Sequence, residues 1–233
     1  MDLNNRLGGP NLIVTAKTAH KVHFLDTATL AMAATIDMPG STHELTLSPD
    51  GRTAYGSVYG DGVFAKRVNP DRRIVVIDIA RRTVIDRIKL PQVFEGLAIS
   101  PDGATLYCAA QGAAELYVID GRTHVLKTTV PIEGADGSKR QMRRVRVSPD
   151  NRYVVVTSNQ DAHAAIYLAD SMQQIASFPT KKSPMGMGFA PGGTHAYVCC
   201  HDDAEVFEFE LATGRVTRTF ATAAGCEFII AYQ

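Results

Sequence analysis

Leu47-Ser-Pro-Asp-Gly51, Ile99-Ser-Pro-Asp-Gly103, Val147-Ser-Pro-Asp-Asn151 and Phe189-Ala-Pro-Gly-Gly193 are one phrase written four times, with the prolines 52, 48 and 42 residues apart. Each copy has an apolar run on either side, so each turn joins two strands. A tight turn recurring with a period in the forties is the signature of a radial or stacked repeat protein. The expected fold is all-β, a five-bladed β-propeller with four antiparallel strands per blade. Propellers host catalysts, ligand binders and docking platforms alike, so the architecture leaves the chemistry open.

The count of five comes from the outer strands. A third strand recurs at Val22–Asp26, Ile74–Asp78, Leu116–Asp120, Ala165–Ala169 and Val206–Glu210. A fourth recurs at Ala31–Ile36, Thr83–Ile88, His124–Val130, Gln174–Phe178 and Arg215–Phe220. The turn phrase is complete only four times, and Glu227-Phe-Ile-Ile-Ala-Tyr232 supplies the apolar run of a fifth. Leu12-Ile-Val-Thr15 reads as a second strand without a first. The two ends are therefore expected to complete one blade between them, closing the ring and hiding its edges. An arc of a larger ring completed by oligomerisation is the alternative. The organisation expected is a polar tail over 1–11 and a single propeller domain over 12–233.

With 233 residues and 45% hydrophobic content, the chain has apolar material for a substantial core. Lys plus Arg equals Asp plus Glu at 24 each. That balance removes the broad electrostatic argument for nucleic acid or an anionic membrane as partner. No apolar run approaches the roughly 20 residues of a membrane span. The opening MDLNNRLGGP lacks the basic-then-apolar pattern of a secretion signal. A cytoplasmic location is expected, or a periplasmic or secreted one if a leader has been removed. Cys108, Cys199, Cys200 and Cys226 match no zinc spacing and read as reduced, small apolar residues. Tryptophan is absent and aromatics are 7%, a poor supply of stacking platforms.

Tyr153-Val-Val-Val-Thr-Ser-Asn159, Val118-Ile-Asp120, Phe24-Leu-Asp-Thr-Ala28 and the four turn phrases together resemble the YVTN family of bacterial β-propeller repeats. The resemblance covers residues 12–232 and is specific for the repeat type. Relatives in that family include lactonase-like and lyase-like enzymes and subunits of quinone-dependent dehydrogenases. Members are commonly exported and often seven-bladed, whereas this chain lacks a signal and counts to five.

In a propeller the loops entering the innermost strands, and those between second and third strands, gather at one face. Here the entries are His43-Glu44, Glu95-Gly96, Arg143-Arg144, Met185-Gly186 and Cys226-Glu227. Four of the seven histidines (His20, His43, His163, His201) fall on that face, as do two insertions, Tyr59–Asp71 and Ile132–Met142. Insertions confined to one face of a regular scaffold usually build a ligand site or lid. Carboxylates crowded at a narrow channel raise one another's pKa, which suits acid–base work.

The leading expectation is a small-molecule enzyme, an isomerase, lyase or lactone hydrolase. Glu95, His43, Glu44 and Glu227 would be its acid–base groups. Arg143, Arg144, Tyr59, Asn159 and Met185 would bind substrate, with the arginines stabilising negative charge. A divalent metal ion held by His163 and His201 is an alternative occupant. A third possibility is that Glu and Arg neutralise one another across the mouth and the histidines are ordinary surface residues. The alternative function is a non-catalytic scaffold that docks a protein or other ligand. A redox accessory role ranks last, because no haem or quinone motif is present.

Overall fold

The central strands of this chain are apolar along their whole length, Tyr153-Val-Val-Val-Thr-Ser158 being the plainest case. Such a strand is stable only when both faces are covered. The structure is a computed structural model that describes residues 11–58, 60, 71–92, 94–110, 113–134, 137–139, 143–227 and 229. Its strands form five sheets in which neighbours in space are neighbours in sequence. One has three strands, β1 (Asn11–Ala16), β2 (Lys21–Asp26) and β3 (Met32–Asp37). The second contains β4 (Thr42–Leu47), β5 (Thr53–Val58), β6 (Arg73–Asp78) and β7 (Thr83–Lys89). The third contains β8 (Gly96–Ile99), β9 (Thr105–Ala110), β10 (Glu115–Asp120) and β11 (Leu126–Pro131). The fourth contains β12 (Arg144–Val147), β13 (Tyr153–Ser158), β14 (His163–Leu168) and β15 (Gln174–Pro179). The fifth contains β16 (Pro184–Phe189), β17 (His195–Cys200), β18 (Glu205–Glu210) and β19 (Val216–Ala221).

The chain divides into two compact units, Met1–Leu97 and Ala98–Gln233. In the first, Val22, Phe24 and Ile36 pack with Ala54, Val58, Val75 and Ile77. In the second, strand alternation sends the side chains of β13 into two different cores. Val154 and Val156 join Tyr107, Leu116 and Tyr167. Tyr153 and Val155 join Val198, Phe207 and Phe209. Phe178 closes that second core against Phe209, with ring centroids 5.1 Å apart and planes tilted by 57°. Each fully buried aliphatic or aromatic side chain contributes about 1.5–3 kcal/mol, so β13 is stabilised from both sides. The fourth strands behave differently: β19 is almost wholly exposed.

The turns explain the repeated phrase atom by atom. Gly51, Gly103, Asn151 and Gly193 all have left-handed backbones, with φ of 68°, 75°, 59° and 66°, which Gly and Asn tolerate best. Ser48, Ser100 and Ser148 each donate from Oγ to the aspartate two residues on. The same oxygens accept from the amides of Thr53, Thr105 and Tyr153. In the fourth copy Ala190 and Gly192 have no such groups, and Gly193 N donating to Ala190 O (2.8 Å) makes the turn alone.

Two backbone features recur five times. The pairing of third with fourth strand shifts register at Phe24/Leu25, Val76/Ile77, Val118/Ile119, Ile166/Tyr167 and Glu208/Phe209. The turn between those strands carries a left-handed residue each time: Leu30, Arg82, His124, Met172 and Gly214. Within the second insertion, Glu133 bridges to Lys139 and Ile132 is buried. Most of the Tyr59–Asp71 insertion and most of the expected strand Glu227–Tyr232 lie outside the described residues.

Glu208 on β18 is a heavily bonded carboxylate, its side chain only 6% exposed. It accepts from Arg218 Nε and Nη2 (2.6 Å each), Thr217 Oγ1 (2.7 Å) and Tyr197 Oη (3.1 Å). Arg218 is the main cause of a pKa lowered from 4.5 to about 2. A carboxylate with a depressed folded pKa stabilises above its unfolded value and loses that contribution as pH falls through the folded one. Glu208→Gln is therefore expected to melt lower than the parent chain at pH 7. The gap should narrow as pH falls from 4.5 towards 2, measured by thermal denaturation across that range.

Candidate functional site

Strand entries, where the chain starts each innermost strand, hold the residues singled out from sequence, and the two units present them differently. In the first unit His43 and Glu44 lie inside β4, where the register shifts between Thr42 and Leu45. The bulge accommodates the extra residue, so they sit at an irregular step inside the strand. Glu44 N donates to Ser57 Oγ (2.9 Å), and Glu44 Oε2 accepts from Leu97 N (3.0 Å). Its carboxylate thus ties β4 to Leu97 of β8. Glu95 is buried, 3% exposed among buried Phe94, Gly96 and Leu97. Tyr59 lies outside the described residues.

In the second unit the structure brings Arg143, Asn159 and Met185 together. Arg143 N donates to Thr157 O (2.8 Å), and Arg144 pairs with Thr157 across β12 and β13. The Asn159 amide sits against Met185 Sδ, with its nitrogen donating to Pro184 O (2.8 Å) and its oxygen accepting from Arg143 Nη1 (3.1 Å). Thr157 Oγ1 donates to the same Pro184 carbonyl (3.1 Å). Two side chains from β13 and the turn after it therefore hold the first residue of β16.

His163 opens β14 as a strand residue, 6% exposed, with Nε2 2.5 Å from Ser177 Oγ. His201 faces water beside Asp202: Nδ1 donates to Asp202 Oδ1 (2.8 Å), and Nε2 lies 4.0 Å from Glu227 Oε1. Ser183 Oγ donates to Asp202 Oδ2 (2.5 Å) and is the first cause, with His201 second, of the lowered Asp202 pKa. An imidazole oriented by a carboxylate at Nδ1 offers Nε2 as a proton acceptor, so His201 keeps acid–base capacity. Ser183 was missed from sequence, since its partner lies 19 residues away. Asp202 was visible as the neighbour of His201. Among the described residues no group of three His, Cys, Asp or Glu side chains is placed to hold a metal ion.

Glu227 is positioned by its backbone. A Cβ built at Gly186 would lie 2.2 Å from Glu227 O, and one at Gly188 would lie 2.9 Å from Ile229 Cγ2. Contacts of 186 with 227 and of 188 with 229 mean that these residues run beside β16 in the same direction.

Sheets of sequential antiparallel strands packed face to face are the plan of a β-propeller, and solved structures bear out that fold. The β-propeller domain of Cps50 (Swd1) from Myceliophteria thermophila superposes with a TM-score of 0.74 at 15% identity, covering 96% of this chain and 74% of that one. A functionally unknown protein from Desulfotomaculum acetoxidans gives 0.75 at 17% identity, covering 93% of this chain and 68% of that one. Antigen Lp49 of Leptospira interrogans is 27% identical over 209 residues, 88% of this chain and 43% of that protein. The chain thus spans less than half the length of that curated relative. No family model matches the chain.

Gly186→Ala is expected to destabilise the fold by about 1–3 kcal/mol, the usual cost of overpacking. Gly192→Ala, where a Cβ meets nothing within 4 Å, should stay within about 0.5 kcal/mol of the parent. Urea denaturation of the two variants checks both.

Proposed function

We propose that the chain is a non-catalytic β-propeller module that binds a protein partner through the strand-entry end of residues 143–227. The observation that carries this reading is that side chains expected to do acid–base work, bind substrate or hold a metal are engaged in holding strands. Glu44 holds Leu97 N, Asn159 holds Pro184 O, and His163 is bonded to Ser177. A group in such a network cannot exchange partners during turnover without loosening the strands it joins. Exposed Lys181, Lys182 and Asp202 give this end a mixed-charge rim, which suits a polypeptide better than a polymer of one sign.

On this reading the chain is a YVTN-type repeat protein and a five-bladed ring whose two ends complete one blade between them. The five recurring register shifts support five units. The His201–Asp202 pair is the one observation favouring a second reading, acid–base chemistry on a small molecule.

The test compares the immobilised chain with its Lys181→Glu/Lys182→Glu variant against extract from its own source, followed by titration of any captured protein against the purified chain. The expected result is a saturable complex weakened about tenfold or more by charge reversal, with no turnover of a lactone and uronic-acid panel. Turnover that His201→Ala abolishes would overturn the proposal in favour of the second reading.

A further inference from the structure

Three of the four cysteines converge on one place. Cys199 and Cys200 end β17, and Cys226 immediately precedes the residues that run beside β16. Cys199 Sγ accepts from Gly186 N (3.3 Å) and donates to Cys226 O (3.1 Å). Cys226 Sγ donates to Cys200 O (3.6 Å). All three thiols are reduced.

We propose that Cys199 and Cys226 form an oxidisable pair that closes to a disulfide under a peroxide, tying the residues around Glu227 to β17. Exposure sets the order of events. Cys226 is half-buried, whereas Cys199 is fully buried and its thiol is pushed up to about 11, chiefly by burial. The thiolate is the reactive form, so Cys226 meets the oxidant first. Its thiolate attacks one peroxide oxygen, the O–O bond breaks, and the departing hydroxide takes a proton to become water. The resulting sulfenic acid is attacked by the Cys199 sulfur. The S–S bond forms as the sulfenic hydroxyl leaves with the Cys199 proton as a second water. Two thiols lose two electrons and two protons, and one peroxide becomes two waters. Cys200 is a poor competitor for Cys199, because adjacent strand residues point to opposite faces.

The experiment treats the full chain with hydrogen peroxide, blocks remaining thiols with iodoacetamide and maps peptides without reduction. The expected result is a Cys199–Cys226 cross-linked peptide and two fewer alkylated cysteines. A higher Tm, reversed by dithiothreitol, should accompany it. Cys226→Ser and Cys199→Ser should each lose both the link and the Tm rise, while Cys108→Ser should keep them. If Cys199→Ser fails to fold, the parent peptide map decides alone. Four alkylatable thiols after treatment would overturn the proposal. So would Cys226 oxidised to the sulfinic acid with Cys199 free, a link through Cys200, or a link between chains.

Discussion

In three of the hairpins between first and second strands, a serine hydroxyl donates to the aspartate two residues ahead and accepts from an amide five residues ahead. That pair of bonds fixes where one strand ends and the next begins, and everything outward depends on it. Strand side chains alternate, so a slip of one residue would exchange the faces of the whole strand. For β13 such a slip would carry Tyr153 and Val155 into the core built for Val154 and Val156. The fourth hairpin keeps its turn through Gly193 without the serine–aspartate pair, so there the backbone geometry alone sets the register.

Much of this fold was legible because its signals are local. The turn phrase, the apolar third strands and the exposed fourth strands are each decided within about ten residues by turn chemistry and alternation. The candidate site was much less legible, because its bonds are not local. Glu44 finds its partner at Leu97, and Asn159 bridges Arg143 to Pro184. Glu95 looked like a mouth carboxylate by position, yet it is buried. A bulge at Thr42/Leu45 places His43 and Glu44 at a break in the register of β4, and such an inserted residue has no marker in composition.

A common thread links the strand-entry residues of both units. Where the innermost strand begins, the chain needs donors and acceptors for main-chain groups, and Glu44, Thr157 and Asn159 supply them. Unpaired main-chain groups in an interior cost more than most side-chain bonds return. The polarity at this end is first a consequence of strand geometry. His201 and Asp202 stand apart, exposed and bonded chiefly to side chains.

Gly186 and Gly188 have a consequence for biosynthesis. The residues that cover them, Glu227 and Ile229, leave the ribosome about forty residues later. At about 5–20 residues per second, that strand waits several seconds for its neighbour. Exposed apolar strands are hazards during such an interval. With hydrogen in place of side chain at both positions, bare backbone waits there until Glu227 and Ile229 arrive to cover it.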